Sequence, residues 1–235
     1  MSIQKVFDNA SSIQIDKRRL AGHTLSRSGR LKTLSVASAV PWQFKVRLSD
    51  GLRYSENREF LNDLDQLDRV FPERINIGQS NFRLDYITKY NNPSGFSEQD
   101  LRNMTIVAVG TGVGSGALQF TVDCTQLPTQ SRYDVLFEKG DIIQPGGWGT
   151  NEDDYLYPYV VTEEVIRGVA DNRVIPVHRP FIQMPDVDPV ALGYGVRAGV
   201  RCNWNLLMIK KPSYTVLPYD RIGWDGEFEF IEVIE

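Results

Sequence analysis

Cysteine and histidine are scarce in this chain, and their scarcity limits the chemistry it can carry. Among 235 residues there are two cysteines, Cys124 and Cys202, and two histidines, His23 and His178. Each cysteine lies in an apolar, strand-like segment, so we expect two buried free thiols rather than a disulfide or a metal site. Neither histidine has a serine, cysteine or carboxylate at a recognisable motif distance. We therefore expect no catalytic residues, no metal and no cofactor.

Long apolar runs and an excess of either charge are also missing. No run approaches the roughly 18 apolar residues of a membrane span, and the first residues lack the apolar stretch of a signal peptide. The 26 Lys and Arg residues against 30 Asp and Glu residues give a net charge of -4, which argues against a surface built to bind polyphosphate. With 41% hydrophobic residues, the composition is that of an ordinary globular protein. We expect a protein made in the cytoplasm, with no membrane insertion.

Strand patterns dominate the sequence. Residues Trp42–Leu48 alternate apolar and polar side chains without a break, the period that puts one face of a strand in a core and the other in water. The same alternation recurs in Phe82–Tyr86 and Leu118–Cys124, and it begins again at Asn203–Leu206. Frequent Gly, Pro, Asn and Asp clusters separate these runs. The pattern predicts antiparallel sheets in a barrel or a sandwich.

One segment has helical rather than strand periodicity. A helix over about residues 55–70 is predicted, with Ser55 as its N-cap and Pro72 beyond its end. A second segment, Thr162–Gly168, is compatible with either a short helix or a strand. The apolar stripe of the predicted helix consists of Phe60, Leu61, Leu64 and Leu67.

The glycine-rich segment Gly110–Gly116 suggests a phosphate-binding loop, because glycines let backbone amides approach an anion. Its context argues against that function: Ser115 stands where a dinucleotide fingerprint needs glycine, no lysine is present, and a strand pattern follows. A hairpin tip between the strands Thr105–Val109 and Leu118–Cys124 is favoured.

A basic segment and an acidic helix face are the candidate subunit contacts. The basic segment lacks aromatic residues that could stack on bases, so a solvated loop or a charged contact with a neighbouring subunit is favoured over nucleic-acid binding. The basic residues are Lys17, Arg18, Arg19, Arg27, Arg30 and Lys32. The acidic residues expected to face them are Glu56, Asp63, Asp65 and Asp68.

Three weaker patterns offer alternatives. Exposed aromatic residues can stack on sugars, although an aromatic belt at a subunit interface explains the same cluster equally well. Glu227 and Glu229 would lie roughly 6.6 Å apart on one face of a strand, near the carboxylate spacing of an inverting glycosidase. An acidic turn at Asn151–Asp154 lacks the ligand spacing of a known calcium loop. The candidate sugar-binding residues are Trp148, Tyr155, Tyr157 and Tyr159.

Several strings of the sequence resemble structural proteins of bacteriophage tails and baseplates, especially the rings that join the tail tube to the baseplate. The similar strings are Phe7–Ile13 with Arg18 and Arg19, Pro41–Leu48, Leu52–Ser55, Leu136–Pro145, Tyr157–Thr162 and Pro176–Pro180. They do not separate a distal tail protein from a hub or a tube initiator.

The resemblance implies a mainly β, tail-tube-like antiparallel β-barrel or sandwich with one flanking α-helix. We expect residues 1–78 and 196–235 to form this barrel, and residues 79–195 to form an inserted β module. The resemblance further implies a homo-oligomeric, usually six-fold ring in the virion, with tube and baseplate proteins as partners and DNA only passing through the lumen. The alternatives are a carbohydrate-binding β-sandwich used in host attachment and, third, a glycosidase-like enzyme.

Overall fold

The computed structural model of the protein describes residues 2–16, 21–25, 31–36, 41–66, 71–77, 103–110, 118–127, 135–146, 157–182, 188, 190–198 and 202–234. It is mainly β, with 50% strand and 14% helix, and its sheets are antiparallel with a half-barrel curl. The mainly β prediction is therefore confirmed. No helix within the described ranges is long and apolar enough to cross a membrane.

The described residues contain two helices rather than the single predicted one. The helices are α1 (Ser2–Asp8) and α2 (Tyr54–Gln66). The strands are β1 (Ala10–Asp16), β2 (Ala21–Leu25), β3 (Leu31–Val36), β4 (Gln43–Leu48), β5 (Glu73–Asn76), β6 (Thr105–Val109), β7 (Gln119–Asp123), β8 (Val135–Phe137), β9 (Ile142–Gly146), β10 (Tyr159–Val160), β11 (Val165–Ile166), β12 (Asn172–Pro176), β13 (Gly195–Ala198), β14 (Asn203–Lys210), β15 (Ser213–Leu217), β16 (Arg221–Asp225) and β17 (Phe228–Glu232).

The chain folds into two compact units. The first is built from Met1–Ile75 and Asn205–Glu235, and the second from Asn76–Gln79 and Arg83–Trp204. The sequence prediction placed the two chain crossings after residues 78 and 195. In the structure the N-terminal part of the first unit ends at Ile75, and its C-terminal part begins at Asn205.

A five-stranded antiparallel sheet in the order β1-β4-β17-β14-β5 organises the first unit. Strand β4 alternates exposed and buried residues along its whole length, as the period-two pattern of Trp42–Leu48 predicted. It pairs with β1 on one side and with β17 on the other. Burial of every second side chain on a strand with two neighbours fixes the register, because a slip of one residue would turn the apolar set into water.

Aromatic side chains form the core on one face of this sheet. Phe44 of β4 and Phe230 of β17 are direct cross-strand partners. The ring of Phe7, from α1, lies over both, with ring centroids 6.1 Å from Phe44 and 5.1 Å from Phe230. All three side chains are fully buried. Helix α1 is thus held by a large aromatic contact, although the sequence analysis did not predict it.

Helix α2 follows the predicted apolar stripe but begins differently from the prediction. Phe60, Leu61 and Leu64 are buried, which confirms the helical register, whereas Leu67 lies outside the described residues. Ser55 is not the N-cap, because the helix already includes Tyr54.

The second unit contains a six-stranded antiparallel sheet in the order β10-β9-β13-β6-β7-β12. Strands β6 and β7 pair as the predicted hairpin, with Val109 opposite Phe120, while residues 111–117 at its tip lie outside the described residues. A short bridge between Val161 and Val177 joins the ends of β10 and β12, the two outer strands. The core includes Phe120 and Tyr159, whose rings meet edge to face at 4.8 Å.

Two smaller predictions are settled by the structure. In the segment 162–168, the strand alternative is the one that forms, since Val165 and Ile166 pair with β8. Both cysteines are free and buried, as predicted. Burial raises the pKa of the Cys124 thiol to about 11, even though the charges of Arg167 and Arg173 oppose the shift. Cys124 therefore stays a neutral, unreactive thiol at physiological pH.

Candidate assembly surfaces

Strand β1 forms one edge of the sheet in the first unit. It has β4 as its only partner among the described residues. Ser12 and Gln14 are exposed, and Ile13 and Ile15 are only partly buried. The strand contains neither proline nor lysine, the residues that natural proteins use to block further strand pairing at an edge. No described strand pairs with this edge, so it can accept another strand.

A bulge where β1 begins fixes the orientation of this edge strand. Its register against β4 shifts between Ala10 and Ser12. The hydroxyl of Ser11, at the bulge, donates to the carbonyl oxygens of Arg47 and Leu48, each at 3.1 Å. A bulge increases local twist and turns the strand end. The regular part of the edge accordingly runs from Ser12 to Asp16.

The acidic face of α2 is only partly available to a neighbouring chain. Asp63 and Asp65 are both exposed, as the interface hypothesis requires. Asp65, however, forms an ion pair with Lys211, whose side chain is 14% exposed. Burial lowers the pKa of Lys211 by desolvating its ammonium group, although the carboxylate of Asp65 lies within ion-pair distance. Asp63 has no ion-pair partner within the part of the chain that the structure describes, which leaves it as the better interface candidate.

The β15–β16 hairpin is an exposed surface that the sequence analysis missed. Val216, Leu217 and Tyr219 are 50%, 45% and 92% exposed. Tyr219 and Asp220 at the tip have φ angles of 64° and 62°, a region that non-glycine residues seldom adopt. Exposed tyrosine next to aliphatic residues is common at protein interfaces. No periodic pattern marked the hairpin, because three successive residues of β15 are exposed.

The described members of the aromatic cluster are buried, which corrects the sugar-binding hypothesis. Tyr157 is 7% exposed and Tyr159 is 0% exposed. The hydroxyl of Tyr159 accepts a hydrogen bond from the amide of Ile182 at 3.0 Å. The guanidinium of Arg179 lies 5.3 Å from the centre of the Tyr159 ring and 5.9 Å from that of Tyr157. These two rings are part of the core and cannot stack on a sugar; Trp148 and Tyr155 lie outside the described residues.

The carboxylates of the glycosidase alternative have ordinary surroundings. Glu229, on β17, forms an ion pair with Lys210 at 3.1 Å. Glu227 precedes that strand and lies outside it. The two residues therefore do not share one regular strand face, which the predicted spacing of roughly 6.6 Å assumed.

The remaining candidate positions fall in segments that the structure does not describe. They are Lys17, Arg18, Arg19, Arg27, Arg30, Asp68 and the acidic turn Asn151–Asp154. The backbone of Lys32 and His23 is in β3 and β2, but their side chains are not described. In the described segments, no group of three or more histidine, cysteine or acidic residues is arranged to hold a metal ion.

No protein-family model matches the chain, and no curated protein matches it significantly.

Proposed function

We propose that this chain is a structural component of a bacteriophage tail that forms a ring, hexameric in our proposal, where the tail tube meets the baseplate. The ring joins the two parts and extends the channel through which DNA passes. The observation that carries the assembly part of this proposal is the outer edge of β1, with which no described strand pairs. The assignment to a phage tail comes from the sequence resemblance described above.

The half-buried isoleucines of β1 support assembly through this edge. Ile13 and Ile15 retain accessible surface on a strand with one partner. A strand from a neighbouring copy would supply main-chain hydrogen bonds and cover these side chains. Because a ring requires each copy to present two different surfaces, the β1 edge of one copy meets another surface of the next. The exposed residues of the β15–β16 hairpin and Asp63 of α2 are available for that second surface.

In this proposal the two units have separate roles. The first unit is the tail-tube-like element that builds the ring, and the second is the inserted β module. A bridge between Val161 and Val177 links the outer strands of the sheet in the second unit, which supports a barrel-like form for this module. DNA passes through the lumen without specific binding, in keeping with the net charge of -4.

Charged substitutions on the β1 edge test the proposal. The Ser12→Lys, Gln14→Lys double variant places two lysines on the edge strand, where they oppose further strand pairing. Gln43→Lys is the matched control, because Gln43 is equally exposed but lies on β4, which has neighbours on both sides. Light scattering and negative-stain electron microscopy measure ring formation, alone and with tail proteins of the same phage. Circular dichroism checks that each variant is folded.

We expect rings from the wild type and from Gln43→Lys, and folded protomers from the double variant. A wild-type chain that remains monomeric at high concentration, even with its tail partners, contradicts the proposed function. Rings that persist in the double variant place the contact elsewhere and refute the role of β1.

A further inference from the structure

The seam between β10 and β12 in the second unit contains a histidine side chain within its main-chain hydrogen bonds. The amide of Thr162 donates to the carbonyl of Pro176, and the amide of His178 donates to the carbonyl of Val160, each at 3.0 Å. These two bonds flank the bridge between Val161 and Val177. Farther along the seam, the guanidinium of Arg179 donates to the carbonyl of Pro158 at 2.8 Å, and the amide of Ile182 donates to the hydroxyl of Tyr159 at 3.0 Å.

The next bond of the seam is made by an imidazole instead of a carbonyl group. In a regular antiparallel ladder, residues paired in this way exchange both of their main-chain bonds, so the amide of Val160 would donate to the carbonyl of His178. Here that amide donates to Nδ1 of the His178 side chain at 3.0 Å. Nδ1 can accept this bond only while it carries no proton, because the protonated imidazole is a donor at both nitrogens.

We propose that His178 is an acid-sensitive clasp, which holds the β10–β12 seam closed while its imidazole is neutral and releases the seam when it is protonated. Protonation changes Nδ1 from an acceptor into a donor that faces the donor group of Val160. The bond is then lost, and the amide of Val160 must find water. Because the row of bonds across the seam is short, loss of this one opens the seam locally, around Val160 and His178.

Aromatic and charged groups lie near the imidazole. The ring of Tyr159 lies 6.4 Å from the imidazole, centre to centre. Arg179, the next residue in the chain, is a buried cation. On the β9 side of β10, the carboxylate of Asp141 accepts from the amide of Glu138 at 2.7 Å. Glu163 and Glu164, beyond the Thr162 end of the seam, are exposed to solvent.

Hydrogen exchange measured by mass spectrometry at pH 7.5 and pH 5.5 tests the clasp. If the closed seam excludes the proton and the open seam binds it with the ordinary imidazole pKa of about 6.5, the opening equilibrium rises about tenfold between these two pH values. We expect this rise in peptides that contain Val160 and His178, after correction for the intrinsic pH dependence of exchange.

Three variants isolate the contribution of the imidazole. His178→Asn retains an oxygen acceptor near the Nδ1 position and does not titrate, so we expect its opening equilibrium to change less than twofold. His178→Ala lacks the acceptor, and its seam should exchange fast at both pH values. His23→Asn removes the other histidine of the chain and should keep the tenfold rise.

A second measurement on the wild type keeps the test decisive even if a variant fails to fold. Long-range nitrogen NMR of histidine-labelled protein at pH 7.5 should show Nδ1 of His178 without a proton. A proton on Nδ1, a wild-type seam that does not change with pH, or a tenfold rise that persists in His178→Asn would each overturn the proposal.

Discussion

Asp220, at the tip of the β15–β16 hairpin, caps a helix that is distant in sequence. Its carboxylate accepts the amide of Ser55 at 3.1 Å and also the hydroxyl of Ser55. Its carbonyl oxygen accepts the amide of Tyr54 at 2.7 Å. Two of the amide groups that have no partner inside helix α2 are therefore satisfied by one residue. Removing this side chain should destabilise the first unit for two reasons, and substitutions at this position can separate their contributions.

The first cause is the lost cap, and the second is the backbone conformation. Removing a capping side chain costs about 0.5–2 kcal/mol, and an acidic group at a helix N-terminus contributes a further 0.3–1 kcal/mol or so. Asp220 has a φ of 62°, where an alanine costs roughly 1–2 kcal/mol and a glycine costs none. Asp220→Ala should thus lower the free energy of unfolding by about 2–5 kcal/mol. Asp220→Gly should lower it by about 1–3 kcal/mol, and Asp220→Asn by less, since asparagine both caps and tolerates this conformation.

Urea unfolding followed by tryptophan fluorescence measures the free energy of unfolding of the three variants. The decisive result is that the loss of stability increases in the order Asn, Gly, Ala. Tyr219→Ala is the control for the hairpin tip, because Tyr219 is 92% exposed and makes no contact with α2 through its side chain in any described interaction. If Asp220→Ala unfolds like the wild type, the carboxylate does not stabilise the helix. If Asp220→Gly and Asp220→Ala lower the free energy of unfolding equally, the positive φ at this position does not disfavour alanine.

Two further predictions concern buried side chains, and both are measured by urea unfolding. Leu64→Ala should lower the free energy of unfolding by about 2–5 kcal/mol, because Leu64 is 2% exposed. Asp63→Ala, on the exposed face of the same helix, should change it by less than about 0.5 kcal/mol, and equal effects of the two variants would refute the helix register. Gln144→Leu should lower the free energy of unfolding by about 2–4 kcal/mol. Gln144 is fully buried, and its side-chain amide both donates a hydrogen bond to and accepts one from the main chain of Asn203, each at 2.8 Å. An unchanged free energy of unfolding would show that these two bonds contribute little.

The parts of the fold that local periodicity specifies were predicted from the sequence. Strand β4 and helix α2 have regular apolar patterns, and their burial follows those patterns residue by residue. The β6–β7 hairpin was predicted because two alternating runs flank a glycine-rich segment. In each case the residues that decide the structure lie within one segment of the chain.

Contacts between distant residues could not be predicted in this way. Ser55 is a good N-cap by residue type, but the acceptor that the helix uses is Asp220, 165 residues away. Helix α1 has only seven residues, too few for a clear helical period, and it depends on the contact of Phe7 with the sheet. Local patterns carry no information about such partners.

The burial of the aromatic residues Tyr157 and Tyr159 could not be predicted from local sequence either. Composition alone cannot tell an exposed tyrosine from a buried one, and the short strand β10 has too few residues for an alternation to appear. In the structure Tyr159 is enclosed because β10 has neighbours on both sides, β9 through the sheet and β12 through the bridge at Val161. Burial of a ring is decided by strand order, which periodicity does not encode.

Strand order also leaves the two units with different sheet edges. In the second unit the two outer strands meet at the bridge between Val161 and Val177, so their edges are covered there. In the first unit β1 keeps an edge with no partner strand among the described residues. Intermolecular strand pairing at neutral pH is therefore expected at β1. If acid opens the His178 clasp, the second unit gains free edges of its own, and association in acid should then extend to a contact that lysines on β1 do not block.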